Sequence, residues 1–181
     1  MNIFKRFFGH LRTVHKHRAM VRKLCFKCGL YWHGLTHDLS KYSPTEFWNG
    51  VKFYTGTKSP HHGERATYGY SKAWLHHKGR NKHHAEYWQD IQFNGKTEPI
   101  LMPPEYFAEM LCDRVAASMI YLGYSYTDSA PLEYYDSHKD ENPFNAETRN
   151  TLVYYLVMNK IYGIDYTCKH LKRSLKGSKI K

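Results

Sequence analysis

The chain has few of the features that mark secreted or membrane-spanning proteins. Its 181 residues include only four cysteines, and these do not form a disulfide framework in a chain of this length. No segment approaches the run of about 20 apolar residues that a membrane-spanning helix needs, and nothing resembles a secretory signal. We therefore expect a protein of the reducing cytoplasm, without a membrane span.

Acidic residues are missing from both ends of the sequence. Residues 1–37 contain eight lysines and arginines and residues 166–181 contain six, and neither segment has an aspartate or glutamate. The stretch between them has 13 basic and 16 acidic residues, so the formal net charge of +11 belongs to the ends. We expect residues 1–165 to form one domain and residues 166–181 a basic C-terminal tail. Such basic ends are usually solvated; otherwise they attract an anionic surface or phosphate-bearing partners, which here means weak contacts with nucleic acid.

The composition and the apolar spacing predict a helical domain. The chain is 41% hydrophobic and 16% aromatic, which suits one folded unit with a real core. Apolar residues between Phe4 and Leu24 recur at spacings of three, four and seven, which is the pattern of one buried helical stripe. The pair Asn94-Gly95 is the only strand signal and predicts a small hairpin. The expected fold is all-α, a helical bundle with a small hairpin insertion.

Several helix boundaries carry recognisable signals. The run Ser43-Pro44-Thr45-Glu46 predicts a capping box at the start of a helix. Asn145 is expected to cap a last helix that covers residues 146–162 and ends at Gly163. Residues 55–70 contain three glycines and a proline and are predicted to be a long loop. Asn81 is expected to cap a short helix that extends to Trp88.

Histidine is the most unusual component, because 11 of the 13 histidines precede residue 85. Some of the ligand-type residues lie where packing favours apolar side chains. His17 falls on the apolar stripe of the first helix, and Asp113 lies on the apolar face of a later helix. A carboxylate in such a place is costly unless a cation or strong hydrogen-bond donors meet it. These residues are therefore candidates for a metal site.

The order and the contexts of four ligand-type residues resemble the HD superfamily of metal-dependent phosphohydrolases. The run His17-Arg18-Ala19-Met20-Val21 is similar to the opening histidine of that family, and His37-Asp38-Leu39-Ser40-Lys41 is similar to its His-Asp signature. The run Cys112-Asp113-Arg114-Val115-Ala116 is similar to its closing aspartate. The resemblance spans roughly residues 10–125 and implies an HD-like helical domain, although Ser40 stands where a glycine is usual.

The resemblance also implies a ligand set and a mechanism. His17, His37, Asp38 and Asp113 are expected to hold one or two divalent ions of Mn, Co, Fe, Zn or Mg. Two-metal members insert further histidines between the second and last parts, which favours His77 and His84, followed by His83, as accessory ligands. The metal would activate water for attack on a phosphate ester. Lys41 and Arg80 are candidate phosphate-binding residues, and Glu86 is a candidate for orienting a ligand histidine or assisting proton transfer.

Three functions remain open on the sequence alone. The first is a phosphohydrolase that acts on a small phosphorylated compound, with nucleotides as the favoured class. The second is an HD-like di-iron oxygenase, since His17, His37, Asp38, His77, His84 and Asp113 supply the four histidines and two aspartates that such a centre uses. The third is a non-catalytic nucleic-acid-binding module in which the basic ends and the aromatic residues act.

Overall fold

A computed structural model of the protein describes residues 1–139 and 143–178. This part of the chain is helical apart from one antiparallel hairpin, formed by β1 (Gln89–Ile91) and β2 (Thr97–Pro99), in which Asp90 pairs with Glu98. The helices are α1 (Ile3–Lys27), α2 (Tyr31–Thr36), α3 (Pro44–Lys52), α4 (Pro60–Tyr68), α5 (Lys72–Lys78), α6 (Pro104–Leu122), α7 (Ala130–Ser137) and α8 (Ala146–Ser178). The expected all-α fold with a small hairpin is confirmed.

The core lies between the three longest helices. α6 packs against both α1 and α8, and its Leu111 and Val115 meet Val21 of α1 and Leu152 of α8 in one buried apolar cluster. Burial of a large aliphatic side chain contributes about 1.5–3 kcal/mol, so this cluster holds the long helices in fixed positions. α3, α4 and α5 form a smaller group, in which α3 contacts α1, α4 and α5. The N-terminal half of α1 therefore packs against α3, and its C-terminal half packs in the core.

The predicted helix caps are present at two sites. The Ser43 hydroxyl accepts a hydrogen bond from the Glu46 N–H at the start of α3. The Asn145 side chain accepts one from the Glu147 N–H at the start of α8. Each bond satisfies one of the backbone donors that a helix leaves free in its first turn.

Two local predictions are wrong. The segment 55–70 is not a continuous loop, because α4 occupies residues 60–68 with Pro60 in its first turn. Its sequence is too polar to show an apolar stripe, and Gly69, at φ +78°, ends it. The expected helix from Asn81 to Trp88 is also absent: this stretch consists of turns with a short 3-10 segment, Ala85–Tyr87.

The C-terminal segment is more closely attached to the domain than its charge suggests. Gly163 has φ +75° and breaks the helix as expected, but helix resumes at once and continues to Ser178. Cys168, Leu171 and Leu175 are buried in the core cluster. Residues 166–178, assigned above to a tail, are therefore part of the packed domain, and residues 179–181 lie outside the described part. No described helix is long and apolar enough to cross a membrane.

A close approach of α1 and α3 yields a stability prediction. A Cβ atom on Gly50 of α3 would lie 2.1 Å from Nε2 of His10 on α1. His10 is buried between the rings of Phe47 and Tyr54 and has little room to retreat. We expect Gly50→Ala to lower the free energy of unfolding by about 1–3 kcal/mol, measured by urea denaturation. Gly177→Ala is the control, because a Cβ there meets nothing within 4 Å. Equal stability of wild type and Gly50→Ala would contradict this packing.

Candidate metal centre

The turn that carries the His-Asp pair is strained. Asp38 has φ +54° and is the sole non-glycine residue with a positive φ in the described ranges. Arg18 of α1 holds the turn, because its Nε donates to the His37 carbonyl at 2.8 Å and its Nη2 donates to the Leu35 carbonyl at 3.1 Å. Strained backbone of this kind persists where surrounding contacts fix it, and such positions cluster at functional sites. The role of Arg18 in fixing this turn is not apparent from the sequence.

A first group of donor atoms comes from three separate parts of the chain. His17 Nε2 on α1 lies 2.9 Å from Asp113 Oδ1 on α6 and 3.5 Å from His37 Nε2. His37 Nε2 lies 3.4 Å from Asp38 Oδ2. Donors that bind one ion tetrahedrally at 2.0–2.2 Å lie about 3.4 Å from one another. The spacing of this group therefore suits one transition-metal ion.

A second group of donor atoms faces the other oxygen of Asp38. His77 Nε2 on α5 lies 3.3 Å from Asp38 Oδ1, and His83 Nε2 lies 3.5 Å from the same atom. His84 completes the group, in which each residue offers a ligand atom within 4.8 Å of the others. Asp38 thus lies between two donor groups and turns one carboxylate oxygen toward each. This arrangement suits a carboxylate that bridges two ions.

Several buried polar atoms of the second group lack hydrogen-bond partners among the described residues, as is expected of atoms that bind a cation. Asp38 Oδ1, His83 Nε2 and His84 Nε2 are buried and have no hydrogen-bond partner in the described structure. Each unsatisfied buried group costs about 1–3 kcal/mol, and all three atoms belong to residues of the second group, so a metal ion bound there would satisfy that group. Burial, followed by the neighbouring His83, holds the pKa of His84 well below its usual range. Its imidazole is therefore neutral, as a metal ligand must be.

Asp38 itself stays ionised in this setting. Burial alone would raise its pKa, but the His37 imidazole and the Lys41 ammonium outweigh that effect and hold the pKa well below its usual range. Lys41 Nζ lies 2.5 Å from Asp38 Oδ2.

Glu109 of α6 orients two of the histidines from outside the centre. Its Oε1 lies 2.8 Å from His37 Nδ1 and 3.1 Å from His83 Nδ1, and its Oε2 lies 2.7 Å from His33 Nδ1. Burial alone would raise the pKa of Glu109, but hydrogen bonds from His33, His37 and His83 hold it well below its usual range. A carboxylate on Nδ1 fixes the tautomer, so that the lone pair of Nε2 would be available to a metal ion. His37 and His83 both turn Nε2 toward Asp38.

Glu46 of α3 has the same role for the second group. Its Oε2 lies 2.7 Å from His77 Nδ1, and its Oε1 lies 2.6 Å from His76 Nδ1. The capping-box prediction assigned this side chain to the backbone of its own helix, whereas the structure places it against α5. Neither Glu46 nor Glu109 was identified as a site residue from the sequence, although Glu109 stands one helical turn before Asp113 and shares its face.

The structure places the predicted site residues unequally. All seven predicted ligands converge, namely His17, His37, Asp38, His77, His83, His84 and Asp113. Lys41 joins them through Asp38. Arg80 is exposed beyond the end of α5, where its Nη1 donates to the His76 carbonyl at 3.3 Å. Glu86 is half-buried near Arg114 and, like Arg80, does not line the cavity beside the centre.

A cavity of about 210 Å³ adjoins the centre. It is lined by candidate ligands and Lys41, and also by His10, Tyr54, His61 and Trp74. Burial, followed by the charge of Lys41, lowers the pKa of His61 to about 3 and that of His10 to about 4. Both imidazoles are therefore neutral at pH 7, and the cavity is large enough for a small polar group.

Comparison with known families places the chain in one of them. The chain matches the family of unknown function DUF5662 over residues 6–158. It belongs to that family. The match includes all seven candidate ligands together with Glu46 and Glu109. For this member of DUF5662, neither the curated proteins nor the solved structures that were compared gave a match.

The two donor groups predict how metal content responds to substitution. We expect about two transition-metal ions per chain. Asp38→Asn should lose both, because both groups share this residue, and asparagine tolerates its positive φ. His17→Ala should lose the first ion and His77→Ala the second. The measurement is elemental analysis of purified protein, with circular dichroism as a check of folding.

His15→Ala is the matched control for these variants, because His15 lies on the exposed face of α1. It should keep the full metal content. Full metal retention in folded Asp38→Asn would refute the ligand assignment.

Removal of the outer carboxylate should weaken the centre without abolishing it. Glu109→Gln loses the charge that orients His37 and His83, and we expect metal affinity to fall about 10–100-fold. Competition with a chromogenic chelator measures this. Glu105→Gln, in the half-buried first turn of the same helix and outside the donor groups, should leave the affinity unchanged. An unchanged affinity in Glu109→Gln would show that Glu109 serves packing alone.

Proposed function

We propose that the protein is a metal-dependent phosphohydrolase that cleaves the phosphate ester of a small phosphorylated compound, with nucleotides as the favoured class. The observation that carries this proposal is the position of Asp38, whose two carboxylate oxygens face two donor groups beside one cavity. A cation-binding centre next to a small cavity with a lysine in its wall suits a substrate with a phosphoryl group.

The donor set favours first-row transition metals. Five imidazoles and two carboxylates suit Mn, Fe, Co or Zn better than Mg, which prefers oxygen ligands. A metal bound there supplies a water of lowered pKa and neutralises charge on a phosphoryl oxygen.

Lys41 is the residue best placed to bind the phosphate. Burial alone would lower its pKa, but the carboxylates of Asp38 and Asp113 raise it, so that the ammonium stays charged. It contacts Asp38 and also lines the cavity, so its charge is available to an anion there. The Trp74 ring, which stacks on His77, also lines the cavity and provides an apolar surface for the rest of the substrate, and neutral His61 is a candidate proton acceptor.

The proposal predicts a metal-dependent hydrolytic activity. Protein loaded with Mn, Co, Fe or Zn should release phosphate from at least one member of a broad panel of nucleotides and phosphate esters. Lys41→Met should retain its metal but lose about 10²-fold or more in kcat/KM, because it removes a charge that meets the phosphoryl group. Lys72→Met, an exposed lysine on α5, should behave as wild type. Metal-loaded protein that hydrolyses nothing in the panel would contradict the proposal.

The nitrogen-rich second group also supports a second candidate, a di-iron oxygenase. His77, His83 and His84 give that position three imidazoles besides the shared carboxylate. Aerobic purification with iron followed by absorption and EPR spectroscopy separates the two functions. A retained iron pair with a mixed-valent signal, together with no phosphatase activity, would favour the oxygenase. An absence of retained iron would exclude it.

A further inference from the structure

The charged side chains that the first 85 residues expose are all basic. They contain 16 lysines and arginines and three acidic residues, Asp38, Glu46 and Glu64. All three carboxylates are buried, with at most 5% of each residue exposed. Glu64 accepts hydrogen bonds from Asn49 and Ser71, and the other two belong to the metal centre. Residues 1–85 therefore have no exposed carboxylate, and their surface is electropositive.

An exposed aromatic patch lies within this surface. Phe4 and Phe8 on α1 are 71% and 61% exposed, and Trp48 on α3 is 58% exposed. Phe7 connects Phe8 to Trp48, because its ring centroid lies 5.2 Å from that of Phe8 and 5.9 Å from that of Trp48, and Phe4 lies one helical turn before Phe8. Ile3, 56% exposed, extends the apolar area. Contiguous exposed apolar groups of this size usually mark an interaction site.

Basic residues continue the same face of α1. Phe4, Phe8, Arg12 and Lys16 follow one another at four-residue intervals, so they form one row along the helix. Arg12 and Lys16 are exposed, as is Lys5, which follows Phe4. A helix face with aromatic groups at one end and cations along it is the arrangement of helices that lie in a membrane interface, where apolar groups enter the acyl boundary and cations meet anionic headgroups.

We propose that this face, formed by Phe4, Phe8, Trp48, Arg12 and Lys16, docks the protein on the surface of an anionic lipid bilayer. Charge complementarity selects the partner, since every exposed ionic group in residues 1–85 is basic. The apolar part favours lipid, because Ile3, Phe4 and Phe8 lie together at one end of the helix and can enter the acyl boundary while Arg12 and Lys16 meet the headgroups. The same positive charge opposes the pairing of this face with a second copy of itself.

Vesicle co-sedimentation of the full chain tests the proposal. The protein should bind vesicles of phosphatidylcholine mixed with phosphatidylserine, should bind pure phosphatidylcholine weakly, and should lose binding as salt rises. Phe4→Ser combined with Phe8→Ser should reduce the partition coefficient about tenfold or more. Arg12→Gln and Lys16→Gln should each reduce it about fivefold.

The exposed hairpin supplies matched controls. Phe93→Ser removes an exposed aromatic group and Lys96→Gln an exposed cation, both outside the patch, and neither should change vesicle binding. Circular dichroism and metal content verify that the variants fold. Equal binding to neutral and anionic vesicles, or unchanged binding of the double phenylalanine variant, would overturn the proposal.

Two further outcomes would assign the face elsewhere and also overturn the proposal. The first is salt-sensitive binding to a single-stranded oligonucleotide that the phenylalanine variant loses, without vesicle binding. The second is a dimer at working concentration that the same variant dissociates. The proposal does not rest on the hydrolase assignment, because vesicle binding is measured without turnover.

Discussion

The buried carboxylate of Asp38 is the interaction on which the rest of the centre depends. His77 and His83 face one of its carboxylate oxygens and His37 faces the other, so this side chain connects the two donor groups. A carboxylate held at this depth is stable only if cations or hydrogen-bond donors surround it. The positive φ of the residue adds a backbone cost, which the contacts of Arg18 to the adjoining carbonyls offset. The helices that carry the ligands are thus arranged around one strained turn.

The side chains around this turn depend on one another in sequence: helix packing positions two carboxylates, and the carboxylates orient the histidines. Glu109 and Glu46 fix the tautomers of His37, His83 and His77 through their Nδ1 atoms, so the direction of each Nε2 lone pair is set by the protein itself. These two carboxylates in turn depend on the packing of their helices. Glu109 is carried by α6, which the core holds between α1 and α8, and Glu46 by α3, which is fixed against α1 and α5. The apolar core therefore controls the geometry of the site indirectly: it fixes the helices, the helices position Glu109 and Glu46, and these carboxylates orient the histidines.

The sequence could predict site residues whose signal lies in their immediate neighbours. It could not predict contacts between residues that are distant in the chain. His17 was recognisable because it lies on an apolar stripe, and Asp113 because a carboxylate among apolar neighbours requires a partner. The second group was less well defined, since His83 lies in an irregular turn where no periodicity indicates direction. Glu46 was assigned to a capping box that explained it locally, and its true partner, His77, is 31 residues away. The basic residues of the C-terminal segment indicated a tail, although Cys168, Leu171 and Leu175 have helical spacing. These three residues belong to the core.

The proposed chemistry and the proposed lipid contact have a common origin in where the carboxylates lie. In residues 1–85 every acidic side chain is turned inward, toward histidines at the centre or toward Asn49 and Ser71. Each inward carboxylate stabilises an internal partner and also removes a negative charge from the surface. The exposed lysines and arginines are left without acidic neighbours from that segment, so the field outside is positive. The carboxylates at the centre favour cations bound among them, and the positive charge around them attracts anions such as phosphate groups.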